Sequence, residues 1–229
     1  VALTGTASVT NYTPSADATL ATLTYKIGNV DPIAVDGFAA TDEETSQTYN
    51  VTLSASTAKD ATITVEATAT SDKATISQIS TATLSEDKAT VTFTVTPESG
   101  KNARTITINF TRTKSEDISL SALTYKIGDG GDATTVDGFD PATNEDTYNI
   151  VLPVKTSATA KIIIAATPTN DDTKVTGTTE VTLVDGAGKT ELTVTAENTE
   201  VTRTITINIS IAPVQVTAVT VPSKFTNRR

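Results

Sequence analysis

The chain contains no histidine and no cysteine. Imidazole general bases, Ser-His-Asp triads, thiol nucleophiles and His- or Cys-ligated metals are therefore excluded. The reactive groups that remain are the hydroxyls of a Thr-rich chain, 17 Lys and Arg, and 27 Asp and Glu. Two facing carboxylates are enough to hydrolyse a glycosidic bond. Most of the acidic residues, however, fall in turn-like stretches or at the solvent positions of alternating segments, and there is no Trp to supply a sugar platform. The carboxylates read as a solvated acidic surface. No residue is nominated as catalytic, cofactor-binding or metal-ligating, no cofactor is expected, and the ligand-binding residues, if the chain has them, are unassigned.

Four further patterns bear on chemistry. "GDGGD" at Gly128–Asp132 and "TNDDTK" at Thr169–Lys174 are rich in oxygen ligands suited to Ca²⁺, but neither has the spacing of an EF-hand loop, and both read as loops. "DGAGKT" at Asp185–Thr190 ends like a phosphate-binding loop. Leu183 stands where that motif requires glycine, and the strand-like "ELTVTA" follows where a helix must begin, so a hairpin is expected. The N-x-S/T sequons at Asn11, Asn50, Asn109 and Asn208 are the chance yield of a Thr-rich chain. Lys26, Lys126, Asn109 and Asn208 all alternate outward, which argues against a buried Lys–Asn isopeptide bond.

The elements that carry these residues come from a duplication. "LTYKIG" occurs at Leu23–Gly28 and again at Leu123–Gly128. "VDGF" at Val35–Phe38 recurs at Val136–Phe139, "TYN" at Thr48–Asn50 recurs at Thr147–Asn149, and "RTITIN" at Arg104–Asn109 recurs at Arg203–Asn208. The offsets are 100, 101, 99 and 99 residues, in one order. A period of that size is a whole domain, since solenoid units run to about 20–50 residues. The expected division is 15–114 and 115–213. It is preceded by 1–14, a tether or the end of an upstream domain, and followed by 214–229, which reads like the start of a further domain.

Within each copy apolar residues alternate with Thr, Lys and Asn, the period of a half-buried strand. Leu23, Tyr25 and Ile27 share a face; so do Tyr49, Val51 and Leu53; Ile63, Val65 and Ala67; Val91, Phe93 and Val95; and Ile106, Ile108 and Phe110. The second copy repeats this through Tyr148, Ile150 and Leu152; Ile162 and Ile164; Val181 and Leu183; Leu192 and Val194; and Ile205, Ile207 and Ile209. A strand is read over Ile33–Phe38, and a weaker one over Ala74–Ile79, running on toward Leu84. Hairpin loops are placed at Ser85–Lys88 and Asp185–Lys189. About seven short strands in about 100 residues predict an all-β fold of two tandem immunoglobulin-like sandwiches. The short polar link Thr113–Asp117 suggests limited interdomain motion and an extended rod.

The order of these features resembles the bacterial cadherin-like β-sandwich domain, a tandem-repeat family of secreted and surface proteins. The residues that carry the resemblance are Leu20, Leu23, Phe38, Tyr49 and Ile106/Ile108, with counterparts Leu120, Leu123, Phe139, Tyr148 and Ile205/Ile207. In that family the last strand often begins with an aromatic, where this chain has Arg104 and Arg203. The Thr-rich, acidic, Cys-free style is also similar to surface proteins of Bacteroides-type bacteria. The resemblance implies an extracellular or cell-surface location, including that of an outer-membrane lipoprotein, and a non-catalytic spacer or stalk. The alternative is adhesion, with sandwich-end loops binding glycan or host protein.

Charge and hydropathy set further bounds. A net charge of −10 repels phosphate backbones, so nucleic acid is not an expected partner. The strongest apolar run, near Ile162–Ala166, is too short to cross a bilayer. No signal peptide is visible, and a start at Val1 rather than Met indicates a processed or trimmed form. Neighbouring domains of a parent protein are the expected partners. Tyr25 and Tyr125 are expected in the cores with their hydroxyls at a polar rim, which leaves Tyr12 and Phe225 as the aromatics outside the repeats.

Overall fold

The computed structural model describes residues 11–40, 46–143 and 145–215. Every regular element among them is a strand. The first half carries β1 (Leu20–Ile27), β2 (Ile33–Ala34), β3 (Ser46–Leu53), β4 (Thr62–Ala69), β5 (Thr75–Ile76), β6 (Ala82–Thr83), β7 (Lys88–Thr96) and β8 (Arg104–Arg112). The second carries β9 (Leu120–Ile127), β10 (Thr134–Thr135), β11 (Thr147–Leu152), β12 (Lys161–Pro168), β13 (Lys174–Gly177), β14 (Glu180–Thr182), β15 (Ala187–Thr195) and β16 (Thr202–Ile211). The chain divides into two compact units between Lys114 and Ser115.

Each unit is a sandwich of two four-stranded sheets. In the first they run β2-β1-β4-β6 and β3-β8-β7-β5, and in the second β10-β9-β12-β14 and β11-β16-β15-β13. The alternation explains the layering. Leu23 and Tyr25 from β1, Ile63 and Val65 from β4, Val91, Phe93 and Val95 from β7, and Ile106, Ile108 and Phe110 from β8 meet in one buried cluster. The second cluster repeats it with Leu123, Ile162, Ile164, Leu192, Val194, Ile205, Ile207 and Ile209. With little aromatic volume available, these cores are built from β-branched and Leu side chains that suit a pleated face. Tyr25 meets Phe110 edge-on, ring centroids 5.3 Å apart.

Pairing adds something that periodicity does not contain. β3 lies parallel to β8 with eight residues in register, Ser46 opposite Thr105 through Leu53 opposite Arg112. β11 does the same against β16. The other pairings are antiparallel.

Three expectations are corrected. The single weak strand from Ala74 toward Leu84 is two short strands, β5 pairing with β7 in one sheet and β6 with β4 in the other. The chain crosses between sheets here, so each unit has eight strand segments. The Ile33–Phe38 strand is confined to β2, because Asp36-Gly37 turns it, with Gly37 at φ 74°; Val35 and Phe38 still reach the core. The second hairpin spans Val184–Ala187, not Asp185–Lys189: the Val184 and Ala187 backbones exchange hydrogen bonds of 2.9 and 3.0 Å. Both central residues of each two-residue turn have positive φ, Glu86 and Asp87 in one and Asp185 and Gly186 in the other, as hairpins of this twist require. Lys189 and Thr190 lie within β15, which accounts for the phosphate-loop look-alike.

At these turns the two copies solve one packing problem differently. In the first, Arg112 is buried; Nη1 donates to Asp87 Oδ1 (2.8 Å), Nε to the Thr57 carbonyl (2.7 Å) and Nη2 to the Ala55 carbonyl (3.1 Å). In the second, Gly186 takes the place of Asp87 and Ile211 that of Arg112. A Cβ at Gly186 would stand only 3.3 Å from the Ile211 side chain. Arg112→Ile alone strands Asp87 and two carbonyls, and is expected to destabilise the first unit by about 2–4 kcal/mol. Adding Asp87→Gly is expected to recover at least half of that loss in urea denaturation. Additive losses in the double variant would contradict the pairing.

Candidate functional site

The leading end of each unit, where the chain enters its first strand, is built from a repeated polar clamp. Asp17 Oδ1 accepts from the Thr19 amide (2.8 Å) and hydroxyl (2.7 Å), while the Asp17 amide donates to Ser15 Oγ (3.2 Å). The Ser15 amide donates to Glu98 Oε2 (3.0 Å), and its carbonyl accepts from Ser99 N (2.9 Å). In the second unit Ser115, Asp117, Ser119, Glu197 and Asn198 reproduce every one of these bonds. A Ser-x-Asp-x-Ser/Thr run followed about 80 residues on by a Glu was readable in the sequence, yet the alternation of apolar residues does not draw attention to it. Tyr12, expected outside the repeats, adds its hydroxyl to Glu98 (2.6 Å to Oε2) in the first unit.

These donors hold both carboxyls of the first unit below their ordinary range. For Glu98 the Tyr12 hydroxyl is the largest cause and the Ser15 amide the next. For Asp17 the Thr19 hydroxyl leads, followed by the Thr19 amide. The same bond raises the Tyr12 hydroxyl.

Beside the clamp, the Arg that opens the last strand ties the two sheets together. Arg104 is 4% exposed. Its Nη1 donates to the Ala18 carbonyl ahead of β1 (3.4 Å) and its Nη2 to Gln47 Oε1 on β3 (2.8 Å). Gln47 Oε1 also accepts the Tyr49 hydroxyl. In the second unit Arg203 reaches the Ile118 carbonyl (3.5 Å), Asp146 Oδ1 (2.8 Å) and the Glu145 carbonyl (2.7 Å). This is the role of the Arg that stands where an aromatic is common. Tyr148 keeps its ring against Phe139, 5.9 Å between centroids. Its hydroxyl is buried and has no partner in good hydrogen-bond geometry; burial is the main reason that its pKa is raised, partly offset by the Glu145 backbone and Arg203 nearby.

Over these clusters lies a shallow groove that recurs in both units. In the first it has a volume of about 430 Å³, between the Asp36-Gly37 turn and the Ser46–Asn50 half of β3. In the second it measures about 450 Å³, between Asp137-Gly138 and a wall of Glu145 and Thr147–Asn149. Recurrence at equivalent positions makes it the candidate binding feature. It lies between a turn and a sheet edge in each unit.

The other sequence candidates are dispersed. Asp129 of "GDGGD" accepts from Lys161 Nζ (3.0 Å), which also pairs with Glu180 (2.9 Å). In "TNDDTK" the Asn170 carboxamide caps the Asp172 amide (2.8 Å), and Thr173 Oγ1 donates to the Asp117 carbonyl (2.7 Å). Among the described residues no three Asp or Glu side chains gather where they could hold a metal. Lys26 pairs with Glu66 (2.7 Å) on one sheet, while Asn109 donates to Asn50 (3.1 Å) on the other. Asn208 repeats the second contact with Asn149 (3.1 Å). Tyr25 is buried and Tyr125 half-buried against their cores. Among the described residues no helix is long and apolar enough to cross a membrane. Asn11 lies just ahead of the clamp, and Phe225 lies outside the described residues.

No family model matches the chain, and no curated protein does. Among solved structures it is similar to the protocadherin gamma B7 extracellular cadherin domains 1–4, at 9% identity and TM-score 0.23, over 72% of this chain and 49% of that one. It is also similar to mouse clustered PcdhgC3 EC1-3, at 8% identity and TM-score 0.28, over 72% and 65%. The chain thus spans about half of the first structure and about two thirds of the second. At these values the likenesses transfer no residue role or activity.

The clamp and the Tyr pair each give a measurable consequence. Depressed carboxyl pKa values contribute stability that is present above the unfolded-state values and lost as pH falls through the folded ones. The first unit is therefore expected to weaken modestly as pH falls below about 4, and Glu98→Gln is expected to reduce that dependence in urea midpoints taken across pH. Tyr49→Phe removes a well-bonded hydroxyl and is expected to cost about 1 kcal/mol, whereas Tyr148→Phe removes one without a partner in good geometry and is expected to cost less. Equal losses in the two variants would sink the distinction.

Proposed function

We propose that the chain is a non-catalytic structural and interaction module, a spacer within a bacterial cell-surface or secreted multidomain protein. One observation carries this reading: the chain enters and leaves each unit at opposite ends. In the first unit the lead-in to β1 lies beside Arg104 at the start of β8, and the exit lies at Arg112, at its finish. Nine residues of β8 separate them, about 27–30 Å of extended chain. Tension applied through the ends therefore runs along strands. β1 is laddered to β4, and β8 is laddered on both sides, to β3 and β7. Many hydrogen bonds must then shear together. The second unit has the same topology.

An acidic, Thr-rich surface suits a segment that must stay soluble while displaying its neighbours. An extracellular location, as a secreted chain or an outer-membrane lipoprotein, fits this use. The expected partners are the adjoining domains, with glycan or host protein as further candidates. The recurring groove favours an interaction role beside the mechanical one.

Force spectroscopy on the intact chain, pulled through its ends, tests the spacer. Two unfolding events of similar force are expected, each releasing about 30 nm of contour length for about 100 residues. Thr107→Pro in the centre of β8 should abolish one of them. Extension without resolved force peaks would remove the mechanical reading.

A further inference from the structure

Each sandwich has four sheet edges, and three of them are curtailed. In the first unit β2, β5 and β6 are two residues long. In the second β10 has two residues, β14 three, and β13 four with Lys174 and Gly177 at its ends. Short strands and edge lysines are the usual ways to stop an edge from recruiting another chain. The fourth edge has none of them. β3 runs for eight residues and β11 for six, without Pro, Lys or a register shift. Among the described strands, each pairs with a neighbour on one side only. The same edge is left open in both copies, and the recurring groove lies along it.

The charge of the groove narrows what it would receive. Asp36 lines the first copy, and Asp137 and Glu145 the second. All three side chains are exposed, on a chain of net charge −10. An incoming cation would complement them.

We propose that β3 and β11 each accept an extended, Lys- or Arg-bearing strand from a partner protein, which adds a fifth strand to the sheet. Affinity would come from backbone pairing along the edge, and selectivity from the carboxylates at the groove mouth. This goes beyond the spacer reading and does not rest on it.

Amide hydrogen exchange on the intact chain provides the test. The probes are a blocked synthetic peptide repeating Lys-Val-Thr-Val and its Glu-Val-Thr-Val counterpart. The lysine peptide is expected to slow exchange along 46–53 and 147–152. The glutamate peptide is expected to bind more weakly. Asp36→Asn with Asp137→Asn removes two charges, keeps at position 36 the oxygen that accepts the Gly37 amide, and should weaken binding about two- to fivefold at low salt, with the difference fading as salt rises. Protection confined to the turns, equal binding of both peptides, or no protection would overturn the proposal. So would slowing that depends on protein concentration without any peptide, because the edge would then serve a second copy.

Discussion

Each unit depends on its last strand. β8 lies between β3 and β7, supplies Ile106, Ile108 and Phe110 to the core, and begins at an Arg that bonds both β3 and the lead-in of β1. Among the described strands, β3 pairs with β8 alone, so its place in the sheet waits on β8. The parallel β3–β8 ladder closes a loop of about 60 residues, and such non-local pairing is slow to form. The unit is therefore a late-closing structure whose first strand and last strand are secured together at the leading end. The polar clamp there has a clear physical use: it ties the lead-in of β1 to the β7–β8 connection with charge-assisted bonds, which are stronger than neutral ones.

The layering was legible because the side-chain period of a strand is two, and the inward residues of β1, β3, β4, β7 and β8 follow it closely. The duplication made it more legible still. What was not legible has specific reasons. β5 and β6 are too short to show a period, so one apolar stretch divided between two sheets looks like a single strand. Parallel pairing leaves no mark on composition, because β3 alternates just as an antiparallel strand does. The second hairpin is shorter than the Asp185–Lys189 loop read from the sequence, because Asp185-Gly186 already satisfies a two-residue turn. The groove was missed for a deeper reason. It is lined by ordinary Ser, Thr, Asn and Asp residues and by backbone, and it is defined by which edge is left long.

Comparison of the copies separates what the fold needs from what it tolerates. The buried aliphatic positions and the Ser-Asp clamp are kept. The polar partners change in a correlated way: Gln47 with Arg104 becomes Asp146 with Arg203, and Asp87 with Arg112 becomes Gly186 with Ile211. The second exchange replaces a buried ion pair by apolar contact, a substitution that proteins often accept at little cost when both partners change and at high cost when only one does. The Tyr148 hydroxyl is the residue of an incomplete exchange. Gln47 Oε1 serves both Arg104 and the Tyr49 hydroxyl, whereas Asp146, in its place, bonds Arg203 without receiving Tyr148.

The open edges raise a question of self-protection. A long polar edge without lysine or proline invites pairing with another copy of itself, and two such edges per chain invite it twice. Net charge supplies a different safeguard. Two chains at −10 each repel as they approach within a Debye length, about 8 Å at physiological ionic strength. That barrier acts on copies of the same chain and on other acidic proteins, and becomes an attraction for a cationic strand. Local blunting closes an edge to every partner, whereas charge closes it selectively. Curtailed edges at three positions, a long edge at the fourth and strong acidity are therefore consistent parts of one arrangement, in which charge disfavours pairing with a second copy and leaves one backbone edge for a cationic strand.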